Sequence, residues 1–255
     1  MNAIPVVKDR VVIITGGSQG IGRRFAHCFA EAGAIPVIAA RNEQNIRSVA
    51  SEIREKGGRA FEAPTDVADP NSVDRMVASV LHQYGRIDVL VNNAGINVNL
   101  KRGPFYEMDF ADWERVMRVN LSGCFLCAKA VFPAMRKAGW GRIINISSAA
   151  MVLGLPNLVH YVTSKAGLIG MTRSMAREVG QFGITVNAIL PGMVDTEVQN
   201  PDRSEERVTA LLKRQAIPRM QTTEDLDGIV LFLASPASDF MTGQSLLVDG
   251  GLAHL

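Results

Sequence analysis

The sequence predicts an α/β fold, a doubly wound parallel sheet of about seven strands with helices on both faces. Three observations predict it. Short apolar runs alternate with longer amphipathic stretches along the chain. The apolar runs lack in-out alternation, which marks strands buried on both faces. The first of them ends in a glycine cluster that opens the first helical stretch. The series is continuous over 255 residues, with no linker rich in proline, glycine or serine. That predicts one domain over 1–255.

The elements follow in order. VVIIT (11–15) is the first strand, and IGRRFAHCFAEAG (21–33) the first helix, stopped by a glycine suited to a C-cap. AIPVIAA (34–40) and EQNIRSVASEIREKGG (43–58) repeat the unit, as do RAFEAPT (59–65) and SVDRMVASVLHQYG (72–85). RIDVLVN (86–92), GRIINIS (141–147), GITVNAIL (183–190) and SLLVD (245–249) complete seven strands. The segment 193–221 is the least regular: long, charged and with a helical piece. Long segments of this kind cover binding sites, so a substrate lid is expected there.

Bulk properties narrow the function classes. A hydrophobic fraction of 47% with 20% charged residues is that of an ordinary soluble enzyme. A net charge of +2 opposes a nucleic-acid partner, which calls for a concentrated basic face. The start, MNAIPVVKDR, lacks a signal-peptide pattern, and no run approaches about 18 uncharged apolar residues. The expectation is a cytoplasmic protein with no membrane contact. Three cysteines oppose a disulfide framework. Cys124 and Cys127 form a C-x-x-C, but that spacing also sets two small residues side by side on a helix. No second pair or histidine completes a zinc set, so no metal is expected.

VVIITGGSQGIGRR places bare backbone N–H groups at the start of a helix, where the dipole favours a phosphate. A P-loop requires Lys and Ser/Thr after its last glycine, and Arg23 and Arg24 stand there. The strict G-x-G-x-x-G also fails, because the glycines fall at Gly16, Gly20 and Gly22.

HYVTSK (160–165) sets Tyr161 and Lys165 one helical turn apart, a rise of about 6 Å on one face. A free tyrosine titrates near pH 10, too high for easy proton exchange. An adjacent ammonium would lower that value and make Tyr161 an acid-base group. Ser148 ends the strand GRIINIS, at the edge where open α/β sheets bind ligands. Ser147 should face the other way if the strand persists. His160 has no carboxylate or serine partner in a recognisable motif, and no G-x-S-x-G elbow supports a hydrolase.

TGGSQGIG (15–22), Asp66 in TDV, NNAG (92–95), Asn120 in RVNLSG, NISS (145–148), YVTSK (161–165), PGMVDT (191–196) and TGQSLLVDGG (242–251) occur in one order across nearly the whole chain. Together they resemble the short-chain dehydrogenase/reductase family, with its Rossmann-type fold. The resemblance implies an NAD(P)(H)-dependent oxidoreductase that interconverts a carbonyl and a secondary alcohol. It implies a catalytic set of Asn120, Ser148, Tyr161 and Lys165. Tyr161 would pass the proton, Lys165 would tune it and hold the nicotinamide ribose, Ser148 would orient the carbonyl, and Asn120 would help hold a relay water. It also implies cofactor contacts from Gly16, Ser18, Gln19, Gly20, Ile21 and Gly22, and from Asp66 and Val67 at the adenine. Asn93, Ala94, Gly95, Pro191, Gly192, Val194 and Thr196 would follow toward the nicotinamide.

The second strand ends VIAARN, and Ala40 stands where the family's NAD users carry aspartate. Arg41 follows, and a guanidinium suits a 2′-phosphate. NADP(H) is therefore expected, with NAD(H) as the alternative, since Arg41 can equally be a solvated loop residue. Glu43 lies nearby, and Gln19 replaces the family's second basic residue. Many relatives are 3-oxoacyl-carrier-protein reductases with basic residues near positions 139 and 182. Gly139 and Phe182 stand here, which favours a small free substrate. AAMVLGLPNL (149–158) and Met193 suggest an apolar pocket. The resemblance implies a homotetramer built on helices around 105–135 and 161–180 and the last strand. An inactive nucleotide-binding scaffold is the alternative from another class.

Overall fold

The computed structural model describes residues 7–198 and 204–254. The first six residues of the leader reading and residues 199–203 of the expected lid lie outside them.

The chain alternates β1 (Val11–Thr15), α1 (Gly20–Glu31), β2 (Ile35–Ala40), α2 (Glu43–Glu55), β3 (Phe61–Pro64), α3 (Pro70–Tyr84) and β4 (Val89–Asn92). Helices α4 (Phe110–Met117) and α5 (Gly123–Ala138) follow, then β5 (Gly141–Ile146), the one-turn α6 (Ala150–Leu153) and the long α7 (Val159–Val179). Then come β6 (Ile184–Pro191), α8 (Glu205–Leu212), α9 (Asp227–Ala234) and β7 (Ser245–Val248). All seven strands lie parallel in one sheet of order β3-β2-β1-β4-β5-β6-β7.

The sheet is buried on both faces because consecutive residues of each strand serve opposite layers. Val12 and Ile14 of β1 pack with Phe25 and Phe29 of α1, with α2 and with α9. Val11 and Ile13 face the other way, onto α3, α5 and Ala176 of α7. The fourth strand is shorter than its apolar pattern suggests. Asp88 accepts from the Val11 amide at 2.8 Å and from Arg10 and Arg86, so this stretch forms a polar plug before the strand starts.

Where helices carry side-chain caps, the caps are local. Asn42 caps α2 on the Asn45 amide, Asp69 caps α3 on Asn71, and Asp109 caps α4 on Ala111. Phe110–Ala138 is a nearly continuous helical stretch with mean hydropathy 1.2 over its best 18 residues. Its length and composition meet the requirement for a span, but charged residues such as Asp112, Glu114, Arg115, Arg118 and Lys129 interrupt it, so no uncharged apolar run of spanning length is present there. In the fold its Cys127, Val131 and Met135 pack beneath the sheet instead. Cys124 and Cys127 are buried free thiols on α5, and burial pushes the Cys124 thiol up to about 11.

β1 pairs with both β2 and β4, and the chain changes direction across the sheet there. The crevice above such a switch point is where open α/β sheets bind ligands.

Candidate active site

The glycine turn is shaped by contacts a side chain would block. Gly16 has φ +65°, and a Cβ there would meet the Ala94 backbone at 2.9 Å. A Cβ on Gly22 would lie 2.2 Å from the Gly16 carbonyl oxygen. Asn93 ties this turn to the end of β4: its Nδ2 donates to the Thr15 and Gly16 carbonyls at 3.0 and 3.2 Å. The buried Thr15 hydroxyl accepts from the Asn93 and Ala94 amides, both at 3.0 Å. Gln19 occupies the N-cap of α1 but makes no side-chain cap, and no acidic residue stands in the first turn.

A cavity of about 400 Å³ runs from this turn along the carboxyl ends of the strands. Gly16, Ser18, Gln19, Gly20 and Ile21 line one wall, and Arg41, Asp66 and Val67 line the outer end. Asn93, Ala94 and Gly95 form the floor beside β4. Pro191, Gly192, Val194 and Thr196 form the far wall, and Ser148, Tyr161 and Lys165 the inner end. Two expected residues do not line it. Gly22 lies outside the lining, where a Cβ would collide with the Gly16 carbonyl oxygen. Asn120 is fully buried below the cavity.

Asn120 lies in a wider π-type turn, Arg118–Ser122, that joins α4 to α5. Such turns accommodate an extra residue in a helix and concentrate at functional sites. The Asn120 Oδ1 accepts from the Ile96 amide at 2.7 Å. Its Nδ2 donates to the Ile96 carbonyl at 3.1 Å and the Ser164 hydroxyl at 3.2 Å. Both of its N–H groups are thus committed within the protein, and its direct effect is to hold Ile96 at the cavity wall.

Tyr161 and Lys165 share the inner face of α7. The Lys165 Nζ donates to the Ile146 carbonyl at 2.8 Å and lies 5.9 Å from the Tyr161 ring centre. Burial pushes the Tyr161 phenol above its ordinary value, and its hydrogen bond with Ser148 opposes that rise. Burial pulls the Lys165 ammonium down. The expectation that Lys165 lowers Tyr161 is therefore not met. Desolvation sets the direction, and the Lys165 ammonium is directed at the Ile146 carbonyl at the end of β5.

The two serines separate by hydrogen bonding. Ser147 donates to the Lys165 carbonyl at 2.8 Å and is buried. Ser148 reaches Tyr161 and accepts from the Ala150 amide at 3.1 Å. The strand ends at Ile146, so strand alternation does not decide between them. The expected apolar pocket is also redistributed. Met151 and Val152 pack with Ile169, Ala188 and Leu190, while Leu158 joins Leu100 and Val116 against Tyr161. Leu155 and Met193 remain partly exposed.

Sequence reasoning missed Asn42, Asn45, Thr65, Ile96, Asn97, Ile146 and Val198, which also line the cavity. Most follow a motif by one to four positions, which was the only signal available. Glu197 was missed as well: its Oε1 accepts from the Gly20 amide at 2.9 Å. The whole arrangement fits a dinucleotide. It offers an α1 N-terminus without its own side-chain cap, a glycine turn that excludes side chains, and an Arg41 with no hydrogen-bonding or ionic partner among the described residues.

Residues 16–253 match the family model described as enoyl-(acyl carrier protein) reductase. The chain is 39% identical to (2S)-[(R)-hydroxy(phenyl)methyl]succinyl-CoA dehydrogenase subunit BbsD of Thauera aromatica, covering 96% of this chain and 97% of that protein. It is 38% identical to a 3-oxoacyl-[acyl-carrier-protein] reductase of Synechocystis sp., over 95% and 96% of the two chains. Among solved structures, a putative short-chain alcohol dehydrogenase from Sinorhizobium meliloti superposes with a TM-score of 0.91 at 33% identity, covering 97% and 98% of the two chains. A 3-oxoacyl-[acyl-carrier protein] reductase with bound NAD from Brucella melitensis gives 0.89 at 34%, covering 98% of this chain and 94% of that one. With fold, motif order and relatives in agreement along almost its full length, the chain belongs to the short-chain dehydrogenase/reductase family, NAD(P)-dependent oxidoreductases that act on CH–OH and C=O groups.

Proposed function

We propose that this enzyme interconverts a small or apolar ketone and its secondary alcohol, with NADP(H) preferred over NAD(H). The observation that carries this reading is the meeting of Tyr161, Ser148 and Lys165 at the inner end of a cavity that begins at the glycine turn. A bound nicotinamide cofactor supplies the hydride to the carbonyl carbon, or accepts it from the alcohol. The chain's own residues manage the oxygen and its proton. Ser148 donates a hydrogen bond that orients the substrate oxygen. Tyr161 gives its proton to that oxygen in reduction and takes it back in oxidation. A phenol is protonated at neutral pH, the state reduction needs, and burial moves Tyr161 further in that direction. Lys165 holds the nicotinamide ribose and keeps a positive charge near the phenol. Asn120 acts as a positioning residue that fixes Ile96.

The cofactor contacts follow the cavity wall. Gly16, Ser18, Gln19, Gly20 and Ile21 meet the diphosphate, with Gly22 supporting the turn. Asp66 and Val67 meet the adenine. Asn93, Ala94 and Gly95 flank the cofactor, and Pro191, Gly192, Val194 and Thr196 meet the nicotinamide. Three features favour a 2′-phosphate. Arg41 is unpaired among the described residues and lines the cavity; β2 ends at Ala40 without a carboxylate; and Glu43 pairs with Arg47 at 2.8 Å.

An acyl thioester is the second reading. The T. aromatica relative is named for a CoA thioester and the Synechocystis relative for an acyl-carrier thioester. Arg136 stacks on the Phe182 ring at 4.8 Å, which leaves a cation near a surface that lacks one at 139 and 182 themselves. Phe110 and Phe125 are 68% and 48% exposed on α4 and α5, and β7 is an unpaired sheet edge. These surfaces support a homotetramer, and the overall reading is a cytoplasmic protein organised as one domain with a lid around 193–221.

The test is loss of NADPH absorbance with free aliphatic and aryl ketones, a keto sugar and a β-ketoacyl thioester, with NADH alongside. Turnover of free ketones with NADPH preferred is expected. An NADH preference would remove the Arg41 assignment alone. Turnover of the thioester only would favour the second reading. Silence across the panel with NADPH still bound would favour an inactive nucleotide-binding protein.

A further inference from the structure

The α1 N-terminus carries an anion that belongs to the protein itself. The Gly20 amide is one of the N–H groups a helix leaves unsatisfied in its first turn. Its acceptor is the Glu197 Oε1 at 2.9 Å, from the segment after β6, 177 residues away in sequence. The same carboxylate oxygen lies 3.7 Å from the Arg23 guanidinium. Glu197 is thus held by the positive end of the helix and by a cation one turn further on. Its neighbours follow it. Val198 and Thr196 side chains lie 3.4 and 3.8 Å from where a Cβ on Gly20 would be, so the whole stretch rests on the glycine turn.

This stretch is anchored at its root. The Gln221 carbonyl accepts from the Asp195 amide at 2.7 Å, and its Oε1 accepts from the Gly192 amide at 2.9 Å. Between that anchor and Gly20, the side chain of Glu197 makes the charged contact that draws the stretch down onto the turn.

We propose that Glu197 is an internal competitor for the cofactor diphosphate. It occupies the Gly20 amide in the ligand-free protein and must leave when a dinucleotide binds. The proposal rests on the reading of the cavity as a dinucleotide site. Two anions cannot share one N–H at hydrogen-bonding distance, because their repulsion in a partly desolvated cleft exceeds what the single bond returns. The diphosphate therefore displaces Glu197, and Thr196 and Val198 move with it. Cofactor binding then sets the position of a segment on the substrate side of the cavity. The latch lowers cofactor affinity by the fraction of molecules in which it is closed. In return it favours release of the spent cofactor, since Glu197 re-forms its bond as the diphosphate leaves.

The test compares the parent with Glu197→Ala and Glu197→Gln by direct binding of NADPH and of adenosine 2′-monophosphate, which lacks the diphosphate. Losing one charge-assisted hydrogen bond should tighten NADPH binding about 3- to 10-fold in Glu197→Ala. Glu197→Gln keeps an acceptor but not the charge, and should fall between. The affinity for adenosine 2′-monophosphate should not change. In the ligand-free variants, hydrogen exchange in the first turn of α1 should be faster than in the parent. NADPH affinity that is unchanged or weaker in Glu197→Ala would overturn the proposal, as would an equal gain for both ligands. If the parent bound neither NADPH nor NADH, the functional reading would fall and take the latch with it. Dinucleotide binding by the parent with no gain in the variants would sink the latch alone.

Discussion

Replacing Tyr161 by phenylalanine deletes one oxygen and its proton and leaves the ring against Leu100, Val116 and Leu158. Turnover should fall by roughly 10²–10⁴-fold, the usual worth of a positioned acid-base group, while NADPH binding is largely spared. A variant that turns over at the parent rate would refute the proton role. Arg41→Ala addresses a different part of the cavity. Its guanidinium has no partner among the described residues, so little folding stability is at stake. The KM for NADPH should rise about tenfold, as for loss of one charge-assisted contact, with the KM for NADH unchanged. Equal effects on both cofactors would assign Arg41 elsewhere. Residue types and spacings in the sequence pointed to Ser148, Tyr161 and Lys165, which line one cavity. They did not show that Asn120 spends its amide on Ile96 and Ser164. Those partners lie 24 and 44 positions away, and no local pattern encodes such distances.

The glycine turn and the π-type turn shape the cavity wall, the first tied to Asn93 and the second holding Asn120 against Ile96. Gly22→Ala places a methyl group 2.2 Å from the Gly16 oxygen and 2.5 Å from Asn93 Nδ2. Both neighbours are locked to β1 and β4, so the turn itself must shift. We expect a stability loss of about 1–3 kcal/mol, as for overpacking in a rigid site, together with weakened NADPH binding. A denaturant midpoint and a binding isotherm on the same preparation check it. Normal binding in a destabilised variant would show that the turn tolerates the displacement. The boundaries of α1, α2 and α3 were legible within a few residues, because amphipathic periodicity and flanking glycines agreed. The end of β5 was not. It stops at Ile146, and the roles of Ser147 and Ser148 are divided by α7 and α6 rather than by strand alternation.

Across the whole molecule, the two ends of the sheet do different work. The carboxyl end holds the cavity, whereas the amino end holds a charged cluster remote from it. Arg142 is buried, donates to the Gly141 carbonyl at 2.8 Å, pairs with Asp239 and stacks 4.1 Å from the Trp140 ring centre. Arg10 sits 4.0 Å from the same ring. Arg142→Ala should cost about 1–3 kcal/mol of stability, read from thermal unfolding, and leave the KM for NADPH unchanged. A changed KM would mean that strain propagates along β5. His160 gives a pH signature. Its ring is fully buried, and among the described residues neither nitrogen has a partner in good hydrogen-bond geometry, the Leu158 backbone being the polar group that approaches it. Burial lowers its pKa, and the charged groups around it are Asp112, Arg115 and Arg102. The unfolded chain therefore binds a proton more readily than the folded one. Stability present above the unfolded value of about 6.5 is lost as pH falls through the folded one. His160→Gln should flatten the stability profile in that acid window, and an unchanged profile would exclude His160 as its source.

The linear chain carried the alternation of elements, the motif order and the candidate site residues, because these depend on local periodicity and on spacings of a few residues. That was enough to reach the family and the class of reaction. The tertiary structure decided the electrostatics and the contacts between distant segments. Burial raises Tyr161 where a neighbouring lysine alone would have lowered it. Glu197 reaches Gly20 across 177 positions. Desolvation and long-range hydrogen bonds depend on which surfaces the fold brings together, and no short stretch of sequence contains both partners.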